Sequence, residues 1–502
     1  MDDLQAVAFT CLAVLIAIYS ARWCTDPLRA IPTVGGSSLP GLSYLGALRT
    51  LRDMREILEE GYRKYPESAF KIRALDKWMV VVSGKNMVEE LRQRGARDEE
   101  LSSPAGSQEL LQSKYVFEPQ VLLDEYHVDV VKENLTRKLP TILPDVIDEV
   151  VVAVKEHITT KEKEWTSVEV MPAMQKIVAR ASNRAFVGLP LCRNEEYLAL
   201  AVDFAVDLMK SALTLRLFPR FLKPIVAQFF NGVKHGTSRA VPYLRPIIEE
   251  RKRTLVELGE GWNDKPNDLL QYLLDREIAK SETVFVIAQR LLGLNFAAIH
   301  TSSNTITHVL YHLAEKPDLL KPLREEIEAS ISADGWTSAA MGKMWKLDSI
   351  LRETLRYHGV GFLAMSRKAM KDVVLNDGTR IPKGTLVSAA AYPQHHDAAL
   401  FENADTFDPF RFARMRSVQG ESLKHQFSST SPEYIPFGHG QHACPGRYFA
   451  ANELKAILAY VILNYDLKLG GDGSRPPDVS VGAAVVPAPH GRVLFKKREG
   501  SV

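Results

Sequence analysis

The chain has 502 residues, 46% of them hydrophobic and 25% charged, with 63 Lys plus Arg against 61 Asp plus Glu. These proportions exclude collagen-like, disordered and polytopic membrane classes, and a net charge of +2 leaves no electrostatic footprint for nucleic acid. Four scattered cysteines, Cys11, Cys24, Cys192 and Cys444, are too few for a disulfide framework or a zinc site and fit a reducing compartment. At about 150 residues per domain, length alone suggests three domains, a prior that the motifs below revise.

From Leu4 to Ala21 the sequence is uncharged, with polar groups only on Gln5, Thr10, Tyr19 and Ser20. Eighteen residues rising about 1.5 Å each span roughly 27 Å, the thickness of an endoplasmic-reticulum bilayer, so residues 1–24 are expected to form one transmembrane anchor. The competing reading, a cleaved signal peptide, requires basic residues ahead of the apolar run and a small-x-small cleavage site; Asp2 and Asp3 stand there instead. Arg22 and Arg29 follow the run, and the positive-inside rule therefore puts the rest of the chain in the cytosol, where the Asn134-Leu135-Thr136 sequon is silent. Residues 25–45, with Pro27, Pro32, Gly35, Gly36, Pro40 and Gly41, read as a stiff hinge.

Residues 46–502 carry no repeat and no low-complexity tract and read as one large domain. Two hairpins are predicted first, Phe70–Leu75 with Met79–Val82 and Val373–Leu375 with Leu386–Val387, around Asp76-Lys77 and Asn376-Asp377-Gly378,. A third pair, Val481–Val486 and Val493–Phe495, brackets residues 487–491. Apolar residues recurring at three and four predict helices over Val146–Lys155, Glu282–Leu313 and Leu454–Val461,. The expected class is mainly α with small β-sheets (α+β). No strand-helix alternation supports a doubly wound nucleotide-binding fold.

Chemistry concentrates near the C-terminus in Phe437-Gly438-His439-Gly440-Gln441-His442-Ala443-Cys444-Pro445-Gly446-Arg447. Its glycines allow positive backbone angles and close approach to a flat ligand. Pro445 suits the first turn of a helix, which sets Cys444 at a helix N-terminus where unpaired N–H groups favour a thiolate able to ligate a soft or borderline metal, haem iron included. Gly438-x-Gly440-x-x-Ala443 also matches a loose dinucleotide fingerprint, but too few residues follow to build a nucleotide-binding half. A lone cysteine is otherwise a small buried hydrophobe.

The pattern Phe-Gly-x-Gly-x-His-x-Cys-x-Gly resembles the haem-binding signature of the cytochrome P-450 superfamily, and three further segments carry the same resemblance. Glu353 and Arg356 match its Glu-x-x-Arg pair, one helical turn apart. Phe407-Asp408-Pro409-Phe410-Arg411-Phe412 looks like its Pro-x-Arg-Phe element, which implies that Arg411 joins Glu353 and Arg356 in a buried structural network. Phe296-Ala297-Ala298-Ile299-His300-Thr301-Ser302 resembles its oxygen-activation segment, which implies that Thr301 hydrogen-bonds bound oxygen and helps deliver protons. A threonine there also bonds back to the carbonyl one turn earlier. The residue before it is His300, where many members carry an acid, so its imidazole is expected to relay protons differently. The family's Trp-x-x-x-Arg is missing, and nearby Arg137 is left unassigned. Arg367 and His442 match positions that hold haem propionates, and Phe437 and Gly438 belong to the haem-contacting loop.

The resemblance spans the chain and implies a cytochrome P-450 fold with an N-terminal transmembrane helix, with haem b ligated by Cys444 as cofactor. It implies monooxygenation: one oxygen atom from dioxygen enters a lipophilic substrate, with NADPH electrons from a separate flavoprotein reductase. The wording of the motif is most similar to membrane-bound fungal members that oxidise terpenoid or steroid skeletons in secondary metabolism, single-pass in the endoplasmic reticulum membrane with a cytosolic catalytic domain. Ala297, Thr301, Phe362, Leu363 and Val486 are expected to line the substrate pocket. Leu217-Phe218-Pro219-Arg220-Phe221-Leu222-Lys223-Pro224 reads either as a segment dipping into the bilayer interface or as an ordinary partly buried loop. Two other readings are a reductase-independent isomerase or dehydratase, and a non-catalytic haem sensor.

Overall fold

A computed structural model describes residues 2–39, 41–161 and 163–499. The expected class holds: long helices surround one large core, and the strands form small sheets at its edge. The helices include α1 Asp2–Cys24, α2 Thr136–His157, α3 Val170–Phe186, α4 Glu195–Arg216, α5 Gly232–Leu258, α6 Val284–Glu315, α7 Trp345–Tyr357 and α8 Arg447–Asn464. The strands are β1 Ala69–Arg73, β2 Trp78–Val82, β3 Leu101–Ser102, β4 Thr166–Glu169, β5 Leu363–Ala369, β6 Val373–Val374, β7 Arg380–Ile381, β8 Leu386–Ala390, β9 Tyr465–Leu469, β10 Val479–Val481, β11 Ala484–Val486 and β12 Arg492–Lys497.

Helix α1 contains the apolar N-terminal run, and its Val7, Phe9, Leu12, Leu15 and Ile16 are each more than half exposed. The side chains of Asp2, Asp3 and Arg22, on which the orientation reading rests, lie outside what the structure describes. In the segment read as a hinge, Pro27–Ala30 forms one 3-10 turn, capped by the Asp26 carboxylate accepting from the Leu28 N–H at 2.9 Å. Val34 then donates its N–H to the Lys71 carbonyl at 3.0 Å, so the segment is tied to the sheet; Pro40 lies outside the described residues.

The main sheet runs β1-β2-β8-β5-β3. Its first two strands form the predicted hairpin, with Phe70 opposite Val81. The second predicted hairpin is corrected: Val373 pairs with Ile381, while Leu386 and Val387 belong to β8, which runs parallel to β2. Pro382 ends β7 and Gly384, at φ +86°, turns the chain before Leu386, a left-handed geometry natural to glycine. The third pair is corrected as well. Gly482, at φ +57°, reverses the apolar run within itself, so β10 pairs with β11 and β12 instead sits between β4 and β9.

Helix α6 is the central element. Thr283 caps it by accepting from the Val286 N–H at 3.3 Å, and Ser302 through Ala314 is buried without interruption. Among the described residues it is the helix long and apolar enough to cross a bilayer, yet half of that stretch is buried, as befits a core helix apolar all round. Its buried Ile299, Ile306 and Leu310 share one core with Val146 and Val150 of α2, Ile177 of α3 and Leu458 of α8.

Candidate functional site

The cysteine loop is closed by its own backbone. The Cys444 N–H donates to the Phe437 carbonyl at 2.7 Å and the Gly438 N–H to the Ile435 carbonyl at 2.9 Å. Gly438 and Gly440 take φ of +68° and +80°, conformations that other residues avoid. A Cβ on Gly440 would lie 2.4 Å from Cγ of Arg92, so the loop admits no side chain there. Phe437 is fixed edge-on to Phe427, centroids 5.2 Å apart. The helix starts later than expected: Gly446 caps α8 and Arg447 is its first residue, which leaves Pro445 in the preceding turn. Cys444 still faces the helix start, because the N–H groups of Gly446 and Arg447 favour its thiolate, although burial is the larger effect and pushes the thiol up,. A bound metal cation would reverse that balance.

On α6 the structure exposes Ala297 and Thr301 within an otherwise half-buried or buried stretch, one turn apart on one face. Thr301 Oγ1 donates to the Ala297 carbonyl at 2.8 Å, the back-bonded arrangement read from the sequence. His300 turns elsewhere: its Nε2 lies 2.9 Å from the Val202 carbonyl on α4. Leu363 and Val486 are half-buried, whereas Phe362 is buried edge-on to Tyr392 at 5.4 Å. Phe362 and Val485 line a separate cavity of about 1020 Å³ whose walls include none of Ala297, Thr301, Leu363 or Val486.

Arg367 and His442 meet on one side of the loop. His442 Nε2 is 3.1 Å from the Gly95 carbonyl and 3.1 Å from the Asp98 carboxylate. Arg367 is buried; it donates from Nη1 to Ser103 Oγ and the Ser366 carbonyl, both at 3.0 Å, while its Nε has no partner. Burial lowers its pKa to about 10. An orphaned buried guanidinium N–H demands an acceptor, and a haem propionate carboxylate is one. The donor set of one thiolate, a glycine cradle and a buried arginine therefore fits haem. Arg137, left unassigned, is exposed at the start of α2.

Glu353, Arg356 and Arg411 do come together. Arg356 donates from Nε and Nη2 to the two Glu353 oxygens at 2.8 Å each, and Arg411 Nε reaches the same oxygens at 3.2 and 3.3 Å. Arg356 Nη1 also donates to the carbonyls of His395 and Ala404 at 2.6 and 2.7 Å. The network thus clamps the chain leading into Asp408-Pro409, whose Asp408 N–H donates to Glu353 at 2.9 Å.

Sequence reasoning missed two buried acids. Asp348 accepts the Phe427 N–H at 2.7 Å and pairs with Arg416 at 3.2 Å and with Lys455 of α8, joining α7 to the loop that precedes the cysteine. Glu453 on α8 accepts from Ser182 Oγ of α3 at 2.6 Å, and its Oε2 has no partner; Ser302, beside Thr301, is near enough to favour its charged form. Burial pushes its pKa up to about 8. The available signal was an acid inside an apolar helical stretch, nine positions after Cys444.

Among the described residues one further group has metal-ligand composition, His308, His358 and Asp478, with ligand atoms within 4.8 Å of one another. Its two rings stack parallel, 4.1 Å apart with 6° between planes, so their in-plane lone pairs do not converge. Arg475 already donates to Asp478 at 2.6 Å and to His308 Nδ1 at 2.7 Å, which puts a guanidinium where a cation would sit.

Comparison with known proteins agrees with this geometry. The cytochrome P450 family model matches residues 35–495. The chain is 61% identical to cytochrome P450 monooxygenase CYP512U6 of Ganoderma lucidum, over 100% of this chain and 98% of that protein. It is 46% identical to cytochrome P450 monooxygenase 151 of Postia placenta, over 99% of this chain and 100% of the relative. Retinoic acid bound cyanobacterial CYP120A1 shares the fold at a TM-score of 0.67 with 20% identity, covering 93% of this chain and 99% of that one.

Proposed function

The chain belongs to the cytochrome P450 family, as a haem-thiolate monooxygenase, and from that membership we propose that it hydroxylates a bulky lipophilic substrate of terpenoid or steroid type in fungal secondary metabolism. What supports the substrate class is the character of the expected pocket residues: Ala297 and Thr301 are exposed on α6, and Leu363 and Val486 are apolar and half-buried, which favours binding by shape and apolar burial rather than charge. Bound haem supplies a redox-active iron that activates dioxygen, with two electrons from an NADPH-dependent flavoprotein reductase accounting for the oxygen atom that leaves as water.

The residues around it take separate roles. Cys444 would hold the iron, Phe437 and Gly438 shape the loop that carries it, and Arg367 and His442 would bind propionate. Thr301 directs its O–H to the Ala297 carbonyl and, by turning about χ1, can offer the same hydrogen bond to a group in the open space without losing the proton. Glu353, Arg356 and Arg411 touch no substrate; they brace the polypeptide that leads into the cysteine loop.

We further propose a single-pass anchor in the endoplasmic reticulum membrane with the catalytic domain in the cytosol. Support comes from the exposed apolar face of α1 and from residues 217–230. There Phe221 and Phe229 are 75% and 76% exposed, while the charge of Lys223 turns inward to Gln112 Oε1 at 2.7 Å. That inversion suits a surface facing lipid. The reading is tested by reconstituting the membrane enzyme with reductase and lipophilic host extract: an NADPH-dependent product heavier by one oxygen supports it, and turnover without NADPH refutes it.

A further inference from the structure

Two polar ties join α4 to α6 among the described residues. The first is buried and indirect. Tyr197, in the first turn of α4, donates its hydroxyl to Asn183 Oδ1 at 3.3 Å, and Asn183 Nδ2 donates to Asn295 Oδ1 on α6 at 2.8 Å. The second is direct, from His300 Nε2 to the Val202 carbonyl at 2.9 Å. Beyond Val202 no polar bond links the two helices among the described residues. The same face of α4 continues through Val206, Met209 and Leu213, which are 43%, 50% and 48% exposed, at the i+4, i+7 and i+11 positions that share a stripe. α4 therefore crosses α6 at the residue adjoining Thr301 and then carries an uncovered apolar face onward.

We propose that His300 is a positioning residue, a latch that fastens α4 to α6 beside Thr301 and so sets how fast ligands leave the cavity that Thr301 faces. The inference rests on the cytochrome P450 reading for the cavity, and on the His300 contact alone for the latch.

The chemistry of the contact explains the residue type. A carbonyl oxygen only accepts, so Nε2 must carry the proton. That holds for the neutral Nε2–H tautomer and for the imidazolium alike, which makes the tie independent of protonation. A carboxylate has only acceptor oxygens and would face the Val202 carbonyl oxygen-to-oxygen. Glutamine offers a terminal amide N–H at similar reach and can replace the bond; leucine cannot. The position thus trades an acid for a donor, and the imidazole is spent on the neighbouring helix rather than on Thr301.

The test uses the haem-loaded full chain. Release of 4-phenylimidazole from the ferric enzyme is followed at the Soret band, and amide hydrogen exchange is followed across residues 198–213. A single hydrogen bond predicts about two- to ten-fold faster release in His300→Leu and His300→Asp. His300→Gln should stay within about two-fold of the parent. Exchange should rise from Val202 onward in the Leu and Asp variants and stay unchanged around Tyr197. Parental release and exchange in His300→Leu, or parental values in His300→Asp, overturn the latch; glutamine behaving like leucine also overturns it. Failure of 4-phenylimidazole to shift the parent's Soret band would count against the haem reading instead, and hydrogen exchange would still decide the latch.

Discussion

Arg356 lies one helical turn after Glu353 and donates to both of its carboxylate oxygens at 2.8 Å, with both side chains fully buried. On a surface such a pair contributes little. Here it is paired, bidentate and capped by main-chain carbonyls, so each group's remaining hydrogen bonds are made, and removing one partner strands the other charge. Glu353→Gln is expected to cost about 3–5 kcal/mol, read as a lowered urea midpoint and a fall in haem content on purification. Arg356→Lys keeps the charge but not the paired geometry and should lose haem as well; a haem-replete Arg356→Lys enzyme would show that the clamp is dispensable.

Among the described residues, Cys444 is the only cysteine in a glycine-flanked loop whose next N–H groups face its sulfur. Cys444→Ala should abolish the red-shifted Soret band of the reduced carbon-monoxide complex, while Cys192→Ala, a buried site elsewhere, should leave it. Survival of the band in Cys444→Ala would move the ligand to another residue.

Thr301 Oγ1 sits 2.8 Å from the Ala297 carbonyl. In Thr301→Ala, NADPH consumption should continue while product falls by roughly a hundredfold, the lower end for a positioned proton donor, and peroxide should rise to match. Thr301→Ser keeps the hydroxyl and should recover most of the coupling. Haem content is measured in each variant, and unchanged coupling in Thr301→Ala assigns proton delivery to another group.

Glu453 titrates near pH 8 in the fold because burial disfavours its charged form, against an ordinary value near 4.3 when unfolded. Between those values the native state holds a proton that the unfolded chain has lost. This carboxyl's contribution to stability is therefore full below about pH 4 and falls by about 1.4 kcal/mol per pH unit until the native group ionises. Glu453→Gln should flatten this part of the melting-temperature profile between pH 5 and 8 and raise the transition at the alkaline end relative to the parent. An unaltered profile would mean that the acid is already ionised in the fold.

A chain beginning at Thr33 keeps the Val34 bond to Lys71 and should bind haem while losing integral membrane association in carbonate extraction. Glycan addition at Asn134 in a eukaryotic host would place the body in the lumen and reverse the orientation.

Local rules made much of this legible without coordinates. The β1–β2 hairpin follows from alternation and its turn residues, and α6 and α8 from their apolar period. The loop around Cys444 follows from its glycines, of which Gly438 and Gly440 take positive φ while Gly446 is helical at φ −83°, because these features depend on a few neighbouring residues. What the sequence could not order were choices between distant partners. Leu386 and Val387 look like the return strand of a hairpin, but the competing edge of β2 takes them, and pairing energy is indifferent to separation in the chain once the core forms. Phe362 has the composition of a pocket wall, and packing against Tyr392 sets it on a cavity whose lining includes neither Ala297 nor Thr301. His300 stands beside Thr301 in sequence and at a 100° rotation from it on the helix, so the chain alone lets it serve the same cavity; only the passage of α4 beside α6 supplies the Val202 carbonyl that claims its proton. Asp348 and Glu453 were hidden for the same reason, since an acid reads as solvated until tertiary packing surrounds it with donors and removes the water.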